Sequence, residues 1–587
     1  MRFLNRFKSI FLGIKISLRR FPITIGISTL LTISLIYFNE NHHNMSTTSQ
    51  DNLIRFNMVL GMAILLSLCL DLLKENLFKE KKVQTILSYL LGVAVLVLYY
   101  IFLLKDFDFV SMTRYVGIMV FLIIAYFYLP VIGNKDKNYE YRVIDIFGNF
   151  FETLIYSVVL LFGIFAIFFT IDNLFDIDIK GKYYLYVFLV TFLVFAVSFF
   201  LSKQPKDGVS FDEKKYSQSM RILLTYIVIP LISIYTIILY VYFAKILITW
   251  EWPKGLVSHL VIWYTAVSIG VIFLISPLIE IDRISRYFKI LFPKVVLPIL
   301  LMMFLSIGQR IYQYGITENR YYILVLGIWI SLIMLYFSIK KPLKNIIIPI
   351  SLSVIVLNSV LGPLSSYSIS KYSQNRRLND ILNRNSMLLG GSIVSNPDVS
   401  DDDKREISNI INYFDMSHSL DDIKILNDDF ETIDMSDVFG FSYQPRIYII
   451  ESDRIYFYYI TDLTSQAIEI EAYQHFLQQY SWQEEDIIIG DFRIARSMGS
   501  NILSLSKDNE VVMTIDTEEA AMERIREFEP VFDNRENQRS PNEMTYEIEG
   551  NDVRVKLIFT NISGNKEDSN IEIDSIEYIL LINDLNK

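Results

Sequence analysis

The sequence predicts a polytopic α-helical membrane bundle of about eleven spans, followed by an extracytoplasmic α+β domain. Three observations carry that prediction. Long apolar runs fill residues 1–365 and stop near residue 390, which concentrates the chain's 52% hydrophobic content and its mean hydropathy of +0.35 in one part. Charge divides at the same place, with 41 acidic and 16 basic residues in 401–587, a net of −25, against +15 for 1–400. The acidic part alternates β-branched and aromatic runs with turn and helix-cap residues. Such asymmetry points to two compartments rather than two similar domains.

Residues 1–20 read as an interfacial helix on the cytoplasmic surface. Phe3, Phe7, Ile10, Ile14 and Leu18 recur at helical spacing among Arg2, Arg6, Lys8, Lys15, Arg19 and Arg20. The bundle, 21–365, follows. A span needs about 20 mostly apolar residues. The candidates lie near 21–38, 54–73, 84–104, 114–132, 151–171, 183–201, 222–249, 256–279, 290–308, 321–339 and 344–364. Connections rich in Lys and Arg alternate with poor ones along the whole series. The N-terminus is therefore expected in the cytoplasm and, with eleven spans, the acidic domain on the outer side of the membrane. Pro230 and Pro298 predict kinks in the seventh and ninth spans.

Residues 366–390 read as an amphipathic connector with Leu378, Ile381, Leu382 and Leu389 on its apolar side. In 391–587, Ser400 or Asp401 caps a helix running to about 414. "RIYII" and "RIYFYYI" flank "ESD" at hairpin spacing, and "NILSLS" and "EVVMTID" flank "KDN" in the same way. Asp516 opens a helix, with Glu519 completing a capping-box pattern. "TYEIEGNDVRVKLIFT" turns at 549–552, and "NIEIDSIEYILLI" supplies a last strand.

The polar hairpin 308–322 between the ninth and tenth spans stands out. It holds Gln309, Arg310, Gln313, Thr317, Glu318, Asn319 and Arg320 among four tyrosines. Gly315 suits a turn, Thr317 and Glu318 suit the start of the next helix, and tyrosines suit an interface. The two arginines do not follow from that account. They are expected to dock the acidic domain or to bind an anionic ligand. In the seventh span, Tyr235, Tyr242, Lys245, Thr249 and Trp252 share one helical face. Lys245 there either meets a substrate anion or snorkels to the interface beside Trp250.

Chemistry is sparse elsewhere. Cys69 is the single cysteine, which leaves no disulfide within the chain and no cysteine metal site. His42 and His43 are adjacent and point apart, and "DVSDDD" and "NDDFE" do not match a calcium loop, so no metal or cofactor is expected. Asp71, Glu152, Glu280 and Asp282 read as interface charges at span ends, next to basic residues or water. Phosphate-binding, serine-hydrolase and zinc-protease signatures are missing, and "HSLDD" alone is not a triad. An acidic soluble domain disfavours nucleic acid as a partner.

The segments "RRFPITIGIS" (19–28), "RILLTYIVIPLISIYTIILYVYFAKILITWEWPKG" (221–255), "QYGITENRYYILVLGIW" (313–329) and "SKYSQNRRLNDIL" (370–382), in this order, resemble a bacterial multi-pass membrane family, domain of unknown function 4153. The resemblance covers most of residues 19–390. It implies a bacterial inner membrane protein and brings no established activity or catalytic residue. The expectation is a non-enzymatic envelope receptor or scaffold, with the lipid bilayer and an envelope protein or anionic ligand as partners. A transporter with its site near Lys245 and a membrane enzyme acting on a lipid-linked substrate are the alternatives.

Overall fold

The computed structural model describes residues 12–586 apart from 78–80, 106, 133–138, 176–178, 206–215, 250–255, 340–343, 428, 444–453, 462, 464–467, 481–485, 497–500, 509, 527, 529–537 and 568–569. The chain divides into two units, Met1–Arg377 and Leu378–Lys587.

In the first unit residues 12–20 are helical, with Leu12, Ile16 and Leu18 exposed and Ser17 buried; Phe3, Phe7 and Ile10 of the expected interfacial face lie outside the described residues. Among the described residues ten further helices are long and apolar enough to cross a membrane: α1 (Pro22–Asn41), α2 (Thr47–Asn76), α3 (Lys82–Phe102), α4 (Phe109–Tyr128), α5 (Tyr139–Phe175), α6 (Gly181–Ser202), α7 (Gln218–Thr249), α8 (Leu256–Leu274), α9 (Arg283–Tyr314) and α10 (Glu318–Ile339). One apolar core joins side chains of α1 to α4, and a second joins α7 to α10.

The eleventh expected span is shorter. Its helix, α11 (Ile347–Val360), has 14 residues. That is about 21 Å of helix against about 30 Å of hydrocarbon. Hydrogen bonds to α10 show how the rest of the length is made up. Lys344 N donates to Tyr336 Oη at 2.8 Å, Trp329 Nε1 to Ser351 Oγ at 2.9 Å and Tyr321 Oη to Leu364 O at 2.5 Å. Residues 344–364 thus run antiparallel to α10 along most of it, with non-helical backbone at each end of α11. On its other side α11 packs on α4, where Gly117 leaves no room for a Cβ beside Val360. Close approach at a small residue is how helices associate where the solvent is as apolar as the side chains.

The proline positions have local consequences. A π-helical segment, Leu223–Val228, directly precedes Pro230 in α7; a proline ring crowds the carbonyl four residues back, and the wider turn relieves it. In α9, Pro298 removes a backbone donor, and Tyr240 Oη of α7 donates to Val295 O at 2.6 Å nearby. The seventh and ninth spans therefore meet through a tyrosine and a packed apolar core.

One unbroken helix, α12 (Ser366–Arg384), carries the chain from the first unit into the second. It buries Leu378, Ile381 and Leu382 as its spacing predicts. Leu389 does not join that face: the helix stops at Arg384, Ser386 takes φ 57°, and Leu389 sits 64% exposed in β1 (Leu388–Leu389), paired with β2 (Ser392–Ile393) across Gly390 and Gly391. Helix α13 (Asp401–Ser417) follows, capped by Ser400, whose Oγ accepts from Asp403 N at 3.3 Å. With α14 (Met435–Phe439) it closes a small helical core around Ile407, Ile411, Phe414 and Phe439.

The remainder is β-rich. Strands β3 (Arg454–Thr461), β4 (His475–Tyr480), β9 (Gln538–Arg539), β10 (Thr545–Glu549), β11 (Val553–Glu567) and β12 (Asn570–Asp584) form one sheet, in the order β4-β12-β11-β3-β9 with β10 also on β11. Strands β5 (Ile487–Ile489), β6 (Phe492–Arg496), β7 (Ile502–Lys507) and β8 (Glu510–Asp516) form a second. Side chains of both sheets and of α15 (Thr517–Ile525) share one apolar core. The expected β7–β8 and β10–β11 hairpins and the last strand are present. Asp516 caps α15 by accepting from Glu518 N and Glu519 N. "RIYII" lies outside the described residues; β3 pairs with β11.

Helix α12 is tied to α13 by charge. Arg384 bonds Asp403, and Asn385 Nδ2 donates to Asp403 Oδ2 at 2.7 Å. Burial alone would raise the Asp403 carboxyl; the Arg384, Asn385 and Ser400 contacts outweigh it and hold it below its ordinary 3.8. A lowered folded value means folding favours the ionised form. The contribution is then complete above the ordinary value and is lost as pH falls through the folded one. Arg384 is 55% exposed, so solvent screening keeps the effect to about 1 kcal/mol or less. Hydrogen exchange in 401–417, corrected for intrinsic rate, should accelerate below about pH 4; Asp403→Asn should remove that acceleration.

Candidate functional site

The polar hairpin between α9 and α10 is built around Gly315, at φ 69° and ψ −177°, a conformation open to glycine alone. A Cβ there would stand 3.0 Å from Gln374 Nε2 and 3.2 Å from Ser373 Oγ, both on α12. The hairpin and the first half of α12 exchange three hydrogen bonds. Ile316 N donates to Ser373 Oγ at 2.9 Å, and Gln374 Nε2 donates to Tyr314 O and Ile316 O, each at 3.1 Å. These satisfy backbone groups that the end of α9 and the turn leave without helical partners. Tyr322 Oη and Ser366 Oγ add a fourth contact at 3.0 Å.

Arg320 works inside this arrangement. Its Nη1 donates to Tyr314 O at 3.2 Å and Gly315 O at 2.9 Å, and its guanidinium lies 5.5 Å from the Tyr314 ring centre. Arg377 of α12 approaches the same ring at 5.8 Å. Glu318 is buried in the first turn of α10, where a negative charge suits the helix dipole. Arg310, on the last turns of α9, is half-buried and has interactions of its own. Arg114 of α4 lies 5.2 Å from the ring of Tyr367, a buried residue whose phenol burial pushes above its usual range. Arg310, Glu318 and Arg320 thus belong to one end of the bundle, against the start of α12.

The second group of expected residues lies elsewhere. Helix α7 buries Ile232, Thr236, Leu239, Phe243 and Ile246, whereas Lys245 is exposed beside that face. Tyr235 is half-buried with its ring 5.0 Å from that of Tyr264, and Tyr242 packs by Phe243; Trp252 lies outside the described residues. No metal-binding group of three or more His, Cys, Asp or Glu occurs among the described residues.

Two features escape a reading of the sequence. The buried face of α12 in its first half is polar: Ser366, Ser370 and Gln374 recur every fourth residue and are at most 2% exposed. That interval was the available signal. The other is Asp71. It was expected at an interface, yet it is 4% exposed and accepts a hydrogen bond from Tyr89 Oη at 2.6 Å. Asp282 is buried as well, capping α9 through Ser285 N at 2.8 Å and facing Arg221 at 3.5 Å, while Glu152 does pair with Lys203.

Over 151 residues the chain is 29% identical to an uncharacterized protein of Pasteurella multocida (strain Pm70), an overlap of 26% of each chain. The match therefore spans about a quarter of that curated relative. No solved structure matches. The α1-to-α12 region, with its paired α10 and α11 and its polar hairpin, coincides with the stretch, residues 26–390, that matches the model of a domain of unknown function (DUF4153), and the chain belongs to that family.

Proposed function

We propose that this multi-span membrane protein is a non-enzymatic receptor or scaffold of the bacterial envelope. Its N-terminus is cytoplasmic, and residues 378–587 lie outside the inner membrane and bind a ligand or partner protein. One observation carries the reading: the polar groups of the bundle's most polar hairpin fix α12, the helix that leads into the acidic unit. A hairpin that holds α12 by its polar groups is suited to presenting the acidic unit. The antiparallel run of 344–364 beside α10 supports an eleventh crossing, and the basic connections support the orientation. A bundle site at Lys245 has less behind it, since the exposed ammonium can reach the interface along its own stem.

Met416 is 75% exposed in α13, and Cys69 is buried. Met416→Cys in a Cys69→Ser background should react with a membrane-impermeant maleimide on intact spheroplasts; reaction only after permeabilisation would reverse the topology. For the role itself, complementation of a deletion strain, scored as detergent and osmotic sensitivity, should fail with Gln374→Leu and succeed with Lys245→Ala. The opposite pattern would favour transport.

A further inference from the structure

Asp71 lies in α2 one turn before Glu75. Glu75 holds Arg20 in a two-point ion pair at 2.8 and 2.7 Å, and Arg20 also donates to Gln204 O and Pro205 O. Arg20 is thus fully engaged. Asp71 receives hydroxyls instead: Tyr89 Oη of α3 at 2.6 Å on Oδ1, and Thr24 Oγ1 of α1 at 3.4 Å on Oδ2. Thr24 Oγ1 also meets Ser67 Oγ at 2.9 Å. The charged and titratable groups that act on the carboxyl are Lys74 and Glu75 on its own helix and Tyr89 on α3. Asp71 forms no ion pair among the described residues. From α4, which packs on the same helix, the neighbour is the Leu122 carbonyl, to which buried Cys69 donates.

A carboxylate buried among apolar helices without a counter-cation is costly, and the neutral acid removes the cost. Two hydroxyls do not replace a cation. With a proton on Oδ2 the group donates to Thr24 Oγ1 and still accepts from Tyr89 on Oδ1, so both oxygens keep partners. Beyond Thr24, α1 presents Ser28 and Thr32 at four-residue intervals, both at most 3% exposed. Ser28 Oγ bonds Leu193 O in the π-helical segment Val190–Ala196 of α6.

We propose that Asp71 is an exchangeable-proton site inside the bundle, occupied at neutral pH and seated by Tyr89 and Thr24. Release sends the proton to water and leaves a carboxylate that these two hydroxyls hold.

Dicyclohexylcarbodiimide labels protonated carboxyls in apolar surroundings, and peptide mass spectrometry of the labelled full-length protein in membranes locates the adduct. Asp71 should carry it at about pH 7, where an ordinary aspartate, titrating at about 4, is ionised and does not react. Asp71→Asn should lose the adduct. Tyr89→Phe removes a donor that favours the ionised form, so the midpoint should rise by about one pH unit. Folding of each variant is read from Cys69 remaining unreactive to maleimide. Absence of an Asp71 adduct from about pH 5 to about pH 8, or a midpoint like that of an exposed aspartate, would overturn the proposal. Protection by sodium at constant ionic strength would also overturn it, making the site one for a metal cation.

Discussion

Lys507→Met is expected to destabilise the β-rich part of the second unit by about 3 kcal/mol, the low end for uncovering a buried charge. Lys507 ends β7 in one sheet, and its Nζ lies 2.6 Å from Asp584 Oδ2 at the end of β12 in the other. The Asp584 side chain is 1% exposed and Lys507 20%. Methionine keeps most of the stem's volume and loses the ammonium, which also lies 5.4 Å from the Phe492 ring centre, so the change tests charge more than volume. Without the ammonium, the carboxylate stays in the core with Asn586 N at 3.1 Å on its other oxygen, while Gln474 continues to bond the Asp584 backbone. Lys507→Met with Asp584→Asn should recover more than half of the loss, because no ion remains to be desolvated. Guanidinium unfolding of the full chain in detergent, followed by hydrogen exchange in 553–567, gives both numbers and their coupling. A single-variant loss under about 0.5 kcal/mol would mean that Asp584 reaches water when the sheets breathe.

The same contrast between local and distant partners separates what the sequence discloses from what it hides. Caps at Ser400 and Asp516 and the hairpins at 507–510 and 549–553 are settled by residues within a few positions, and they are legible. So is the apolar face of Leu378, Ile381 and Leu382, whose period needs no knowledge of its partner. The polar face of Ser366, Ser370 and Gln374 has the same period, yet it becomes a contact only through carbonyls about sixty positions earlier. A search weighted toward apolar residues passes over it. Leu389 departs from that face for a nearer reason: the helix ends at Arg384, Ser386 turns the chain at φ 57°, and Gly390 and Gly391 fold Leu389 into a short hairpin. Strand β3 is visible as a strand, but its partner β11 lies about a hundred residues on. Asp71 looked like an interface charge because sequence position places it near a span end, whereas burial comes from α1 and α3 folding over it.

For the candidate site, Gly315→Ala carries the largest expected effect. The backbone region costs about 1–3 kcal/mol for any residue with a Cβ. The added methyl would also press on Gln374 Nε2, whose displacement takes that donor from Ile316 O, at about 1–3 kcal/mol, and leaves Tyr314 O with Arg320. A total of about 3 kcal/mol should appear as faster exchange in 366–377, with α7 and α8 unchanged. Gln374→Leu should reproduce the pattern without touching the turn, since it removes the same two donors from a residue 2% exposed. Arg320→Lys should have a smaller effect, about 1 kcal/mol, because one nitrogen, Nη1, serves both Tyr314 O and Gly315 O and a lysine ammonium keeps the charge for part of that role. This ordering separates two explanations of the hairpin's polarity. If its groups only solubilise a surface turn, Gln374→Leu is silent and Gly315→Ala disturbs 313–318 alone. If they seat α12, both variants loosen the helix that leads into the acidic unit, and the order Gly315→Ala, Gln374→Leu, Arg320→Lys follows from their causes: backbone strain plus displacement of Gln374, loss of the Gln374 donors alone, and a cation kept beside the turn.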